Sequence, residues 1–221
     1  MGPSAIALLL ADARTPTGAY AHSAGLEAAV QHGLRPAEVP AFLAGRLATV
    51  ALTEASLTAA AVLAGDELDA LLHLDAEALA RCPSGALRQA ASTLGRSLLR
   101  TGAQLFPTAP TIAAYRAASA HTPRPVALGV VARAGGLGPE HAALVALHDD
   151  LSGVAAAAVK LLPVDAGDAA AWIAALAPQL EATAARAAAA ALRDDLPSLS
   201  APLIERRSLR HHADPGRLFA S

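Results

Sequence analysis

The sequence predicts an all-α, single-domain bundle of about eight to ten helices, followed by a C-terminal tail. Three observations carry the prediction. Of 221 residues, 54% are apolar but only 3% aromatic, so alanine and leucine dominate, and both favour helices packed through small side chains. Apolar residues recur at helical spacing along most of the chain, and no run shows clean period-2 alternation. The breaks between periodic stretches are short and hold glycine or proline, as in one bundle rather than two domains.

Each element has its own signal. Ser4 to Leu10 reads as a first short helix. Pro16 and Gly18 are turn residues, and Ser23 is placed to cap a helix carrying Leu26, Ala29 and Val30 that ends near Gly33. Pro36 opens a helical pattern through Phe42, Leu43, Leu47, Val50 and Leu57 to Ala64, where Gly65 stops it. Asp66 is a candidate cap for the next helix, whose Leu68, Leu71, Leu72 and Leu79 form one stripe. After the break at Pro83 to Gly85, Ala86 to Phe106 is helical, with Leu87, Leu94, Leu98 and Leu105 on one side. Thr111 to Ala118 is a short helix, and His121 to Pro125 a linker. Val126 to Ala134 is helical and ends in a turn of Gly135, Gly136, Gly138 and Pro139. Glu140 to Leu162 is a long apolar helix stopped by Pro163, and Asp168 begins a last one, kinked near Pro178, that runs to Arg193. Residues 1–196 form the domain. Residues 197–221, with three prolines, Arg206, Arg207, Arg210 and a histidine pair, read as a tail that a partner orders.

Bulk properties exclude several functions. A net charge of -2 and 16% charged residues create no field for nucleic acid or an anionic membrane. Cys82 is the only cysteine, so an intrachain disulfide is excluded and a cytoplasmic setting is expected. The apolar run Ala5 to Ala11 is too short to span a bilayer and lacks a basic flank.

The candidate chemistry is thin. Tyr20, His22, Ser23 and Glu27 gather polar groups within eight residues of an otherwise bland chain, so they face a partner or close a local network. Ala21-His22-Ser23-Ala24-Gly25 imitates a nucleophile elbow but lacks the preceding strand and the first glycine, which favours a capping Ser23 over a hydrolase using Ser23 and His22. Gly135-Gly136-Leu137-Gly138 lacks the lysine and hydroxyl residue of a phosphate loop. His141 and His148, seven positions apart on one helix, lie about 10 Å apart, too far to share an ion. His211 and His212 have no third ligand, and Cys82 has no partner cysteine. Asp149 and Asp150 read as a solvated or interfacial patch. No catalytic residue, metal site or cofactor is predicted; an interaction protein is.

Certain motifs resemble those of one family. Pro16, Gly18, Tyr20, His22, Ser23, Gly25, Leu26 and Glu27 are similar to the N-terminal signature of UreF, the urease accessory protein family. Leu94 to Arg100, Pro125 to Gly129 and Leu151 to Pro163 resemble later segments in order, and Arg217-Leu218-Phe219 with Ser221 resembles the family's ending. The chain departs from the pattern after Pro163, where Asp165, Ala166 and Ala170 replace a Gly-Gln pair and a later glutamine, and in the tail, where the usual tyrosine is missing. The resemblance implies an all-α homodimer, not an enzyme, that binds UreD and recruits the GTPase UreG to deliver nickel to apo-urease. It also implies partner-binding roles. Tyr20, His22, Ser23 and Glu27 would form a polar surface or channel-mouth cluster. Lys160 and Arg217 would reach acidic groups on the GTPase, His211 would be a further partner-binding residue, and Leu218 and Phe219 would be apolar anchors of an ordering tail. A helical adaptor without a urease role is the alternative reading.

Overall fold

A chain this rich in alanine and leucine makes helices whose close approach, rather than bulky side chains, forms the core. The computed structural model describes residues 2–12, 14–16, 22–212 and 218–219, with only the backbone of 3 and 210–212. Twelve α-helices occur among them, and no strand.

The first helices are α1 (Pro3–Ala11) and α2 (Leu26–Gln31), then a 3₁₀ turn (Pro36–Glu38) leads into α3 (Val39–Ala48) and α4 (Val50–Ala64). Next come α5 (Leu68–Ala80), α6 (Gly85–Leu105), α7 (Pro110–Ala118), α8 (Arg124–Ala134) and α9 (Pro139–Leu161). The chain closes with α10 (Ala166–Ala175), α11 (Ala177–Leu192) and α12 (Pro202–His212).

The count exceeds the expected eight to ten because two long patterns are each split. The run from Pro36 to Ala64 breaks at Thr49, whose φ of -124° and ψ of -104° leave helical space, so its two halves pack in different directions. The bend expected near Pro178 is a full break after Ala175, with Pro178 in the first turn of α11, where its missing N–H does no harm. Residues 202–212 of the tail add α12. The cap expected from Asp66 is not made. Its carboxylate instead accepts the Thr111 hydroxyl, and α5 starts after Glu67.

Helix α4 lies at the centre, packed against α8, α9 and α11. Its apolar residues Leu52, Ala55, Leu57, Ala59, Ala61 and Val62 are all buried, and so are Thr53, Ser56 and Thr58. Ser56 and Thr58 donate their hydroxyls to the carbonyls of Leu52 and Glu54 four residues back, which satisfies them inside the core. Gly129 lets α8 approach: a Cβ there would lie 2.5 Å from both Ala61 Cβ and the Thr58 carbonyl oxygen. Two helical runs, Pro36–Ala64 and Pro139–Leu161, are long and apolar enough to cross a membrane by length and composition, and 61% and 56% of their apolar 18-residue stretches is buried within the bundle. Burial of that order is what core helices require.

Away from the centre, Tyr115 of α7 is fully buried and donates its hydroxyl to Asp75 Oδ1 of α5 at 2.5 Å. Ser119 Oγ donates to the other oxygen at 2.5 Å and accepts the Thr122 N–H at 2.8 Å. This network fixes the linker before α8.

Candidate functional site

The start of α2 is the best-defined polar region. Gly25, at φ +87°, takes the left-handed conformation that turns the chain into the helix. The cap position of α2 is therefore Gly25 and not Ser23 as the sequence suggested; Ser23 stands two residues earlier, where its Oγ accepts the Glu27 N–H at 3.3 Å and its carbonyl the Leu26 N–H at 3.0 Å. Ser23 is fully buried and Glu27 is 3% exposed, so both are turned into the chain rather than out to solvent. A buried serine that opens a helix, with no strand before it among the described residues, is not a nucleophile elbow.

Glu27 explains why a carboxylate is tolerated there. Its Oε1 accepts the Leu218 N–H at 2.7 Å and its Oε2 the Phe219 N–H at 2.9 Å. The chain thus returns across 192 positions to lay its C-terminal segment on α2. Phe219 is 6% exposed, and Lys160 Nζ, in the last turn of α9, sits 5.4 Å from its ring centroid. A cation over an aromatic face at that distance is attractive by about 0.5–1 kcal/mol. The Leu218 side chain points to solvent at 74% exposure.

Upstream of that contact the C-terminal segment is fastened at several points. Arg81 donates Nε to the Pro197 carbonyl at 2.9 Å and Nη2 to the Leu196 carbonyl at 3.1 Å. Thr53 Oγ1 donates to the Leu199 carbonyl at 3.0 Å and accepts its N–H at 3.1 Å. Ser84 and Ser208 pair through their hydroxyls at 2.7 Å. Ile204 of α12 sits over Gly25, where a Cβ would come within 2.6 Å of its Cγ2.

Beneath this segment lies a cavity of about 160 Å³ with one strongly polar wall. Arg46 of α3 donates Nε and Nη2 to Asp150 at 3.0 and 2.6 Å and Nη1 to the Ala24 carbonyl at 2.8 Å. Arg124, at the start of α8, pairs with Asp149. The two aspartates are therefore not a solvated patch. They sit in buried ion pairs, because α9 packs on neighbours from several directions and its charged positions meet α3 and α8. Glu54 of α4 and His22 line the same wall. Burial, reinforced by Asp150, pushes the Glu54 carboxyl up, more than Arg124 and Arg46 pull it down. Burial, with Arg124 nearby, lowers His22 to about 4, so it is neutral at pH 7. Burial also pushes the Cys82 thiol up to about 11, so it stays protonated at neutral pH.

A family model described as UreF matches residues 34–177. The chain belongs to the UreF family. It is 40% identical over 223 residues to the urease accessory protein UreF of Mycolicibacterium vanbaalenii, with all of both chains covered. It is 40% identical over 220 residues to that of Mycobacterium marinum and 36% identical over 222 residues to that of Mycobacterium tuberculosis, with 98% of each chain covered in both cases.

Of the residues singled out in the sequence, this UreF-family fold brings Ser23, Glu27, Lys160, Leu218 and Phe219 into one region at the junction of α2, α9 and the C-terminal segment. His22, next to Ser23 in the chain, lines the cavity. Tyr20 and Arg217 fall outside the described residues, as does the side chain of His211, whose backbone closes α12. Sequence reading missed Arg46, Glu54 and Arg124. Their signal was a charge set inside an otherwise apolar helical run, as in Leu52-Thr53-Glu54-Ala55.

Proposed function

We infer that this UreF-family chain is an accessory protein of urease maturation that acts through protein contacts and not through catalysis. It joins a UreD-type protein and then a UreG-type GTPase, as a homodimer in the cytoplasm, so that nickel reaches apo-urease as cargo of the assembly. The observation that carries the reading is the convergence of Glu27, Lys160, Leu218 and Phe219 in a chain whose relatives are named urease accessory proteins. The exposed Leu218 side chain on the held segment supplies an apolar contact, and Lys160 of α9, against Phe219, a cationic one. The exposed Arg206 of α12 suits an acidic partner surface.

The test is size-exclusion chromatography with light scattering, on this protein alone and mixed with the UreD and UreG proteins of its own organism. The expected result is a dimer that joins UreD and then takes up the GTPase, and that loses the GTPase on truncation after Leu209. No association with either folded partner overturns the reading and leaves a helical adaptor without a urease role.

A further inference from the structure

Residues 78–139 hold seven arginines and no aspartate or glutamate, in a chain whose net charge is -2. The stretch runs from the last turn of α5 to the first residue of α9. Arg81 and Arg124 are paired with Glu77 and Asp149, which lie outside it. The other five, Arg88, Arg96, Arg100, Arg116 and Arg133, are all exposed, and none forms an ion pair with a described residue. They stand on α6, α7 and α8, which pack on one another. A local excess of one sign gives this side of the bundle a positive field that the overall charge hides.

Arg96 and Arg100 of α6 are about 6 Å apart along the helix axis and share its outer face with Gln89, Thr93 and Gln104. Uncharged acceptors orient their guanidinium groups. Arg96 donates Nη1 to Ser92 Oγ at 2.6 Å and Nη2 to Thr93 Oγ1 at 3.2 Å. Arg100 donates Nη2 to Ser97 Oγ at 3.2 Å, and that hydroxyl donates in turn to the Pro16 carbonyl. Each guanidinium keeps further donors for a carboxylate, and being held beforehand it loses less freedom on binding. Phe106 is half-buried and Tyr115 fully buried, so neither is presented for base stacking. Between Arg88 and Arg100 the other exposed residues are polar, which leaves nothing to insert into a bilayer. The rest of the chain is net negative and repels a long polyanion. Carboxylates one helical turn apart match the spacing of Arg96 and Arg100. We propose that the α6 face centred on Arg96 and Arg100 docks an acidic helical segment of a partner protein, one carboxylate to each guanidinium. This face shares no residue with the Glu27 junction and adds a second interface to it.

The test is fluorescence anisotropy at low salt, with the full chain and two labelled alanine-rich peptides of the same composition. In one peptide the glutamates recur every fourth residue along one helix face, and in the other they are spread around the helix. The one-face peptide should bind at least fivefold more tightly. Arg96→Gln with Arg100→Gln should weaken it at least tenfold, while Arg186→Gln with Arg193→Gln, two exposed arginines at α11, should leave it within twofold. Arg96→Glu with Arg100→Glu should transfer the preference to the matching lysine peptide, a reversal that a misfolded chain would not show. Equal binding of the two peptides, affinity unchanged in the Arg96→Gln, Arg100→Gln chain, or no binding up to about 1 millimolar overturns the proposal. Tighter binding of a thymidine oligonucleotide assigns the face to nucleic acid and also overturns it. So does a dimer by light scattering that the Arg96→Gln, Arg100→Gln pair dissolves, since the occupant is then a second copy of the chain.

Discussion

Replacing Glu27 by glutamine tests how the C-terminal segment is held. The carboxylate accepts two backbone N–H groups at 2.7 and 2.9 Å while only 3% exposed. Glutamine keeps one oxygen acceptor, and its amide nitrogen turns a donor toward the second N–H. A hydrogen bond to a charged group contributes about 1.5–3 kcal/mol, and a buried donor left unpaired costs about as much again as a neutral bond. Losing one bond and weakening the other removes about 3 kcal/mol from the docked end. At about 1.4 kcal/mol per tenfold, its opening equilibrium rises about 10²-fold. The assay is hydrogen exchange by mass spectrometry, following the peptide that contains Leu218 and Phe219. The rest of the fold should keep its protection, since the two bonds affected hold only the Leu218 and Phe219 N–H groups. If the Leu218 and Phe219 amides keep their protection within a factor of two in a folded Glu27→Gln chain, the clamp does not hold the segment.

Other perturbations have equally direct outcomes. Arg46→Met leaves Asp150 buried without its cation and should destabilise the chain by about 3–5 kcal/mol in urea unfolding, while Arg46→Met with Asp150→Leu recovers most of the loss. His22, held at about 4 against an ordinary 6.5, takes up its proton in the unfolded chain first. Its contribution is present above pH 6.5 and lost as pH falls toward 4, by about 3 kcal/mol at most, and a His22→Gln chain should show a shallower decline over that window. Gly25→Ala meets both a left-handed backbone and Ile204, whereas Gly33→Ala at φ +93° meets the backbone penalty alone, about 1–2 kcal/mol. Only the Gly25 variant should also speed proteolysis within residues 202–209, and equal effects would show that Ile204 does not rest on that glycine.

The all-α class was legible because helical periodicity and an alanine-rich composition agree along the chain. Helix boundaries failed where one pattern ran through a break: nothing in Leu47-Ala48-Thr49-Val50 marks the non-helical Thr49, which follows from how α3 and α4 meet other helices. The site was legible in parts. Glu27, Lys160 and Phe219 each stand out in the sequence, but their meeting across 192 positions leaves no mark on local spacing. The cavity was missed because periodicity assumes a helix with one wet face. On α4, packed on several sides, Glu54 occupies a position that spacing alone would send to water, and Asp149 and Asp150 on α9 misled for the same reason.

The Glu27 clamp grips main-chain N–H groups and never touches what residue 218 carries outward. Such a grip is blind to residue identity but sensitive to register. Position 218 is free to change its chemistry, and so to be retuned to a different partner, without loosening the end of the chain. Proline at 218 or 219, having no N–H to offer, would release it. So would one residue inserted between α12 and Leu218, by sliding the phenylalanine out from under Lys160. Fastening and recognition are thereby assigned to different atoms of the same residue, and sequence drift acts on one without disturbing the other.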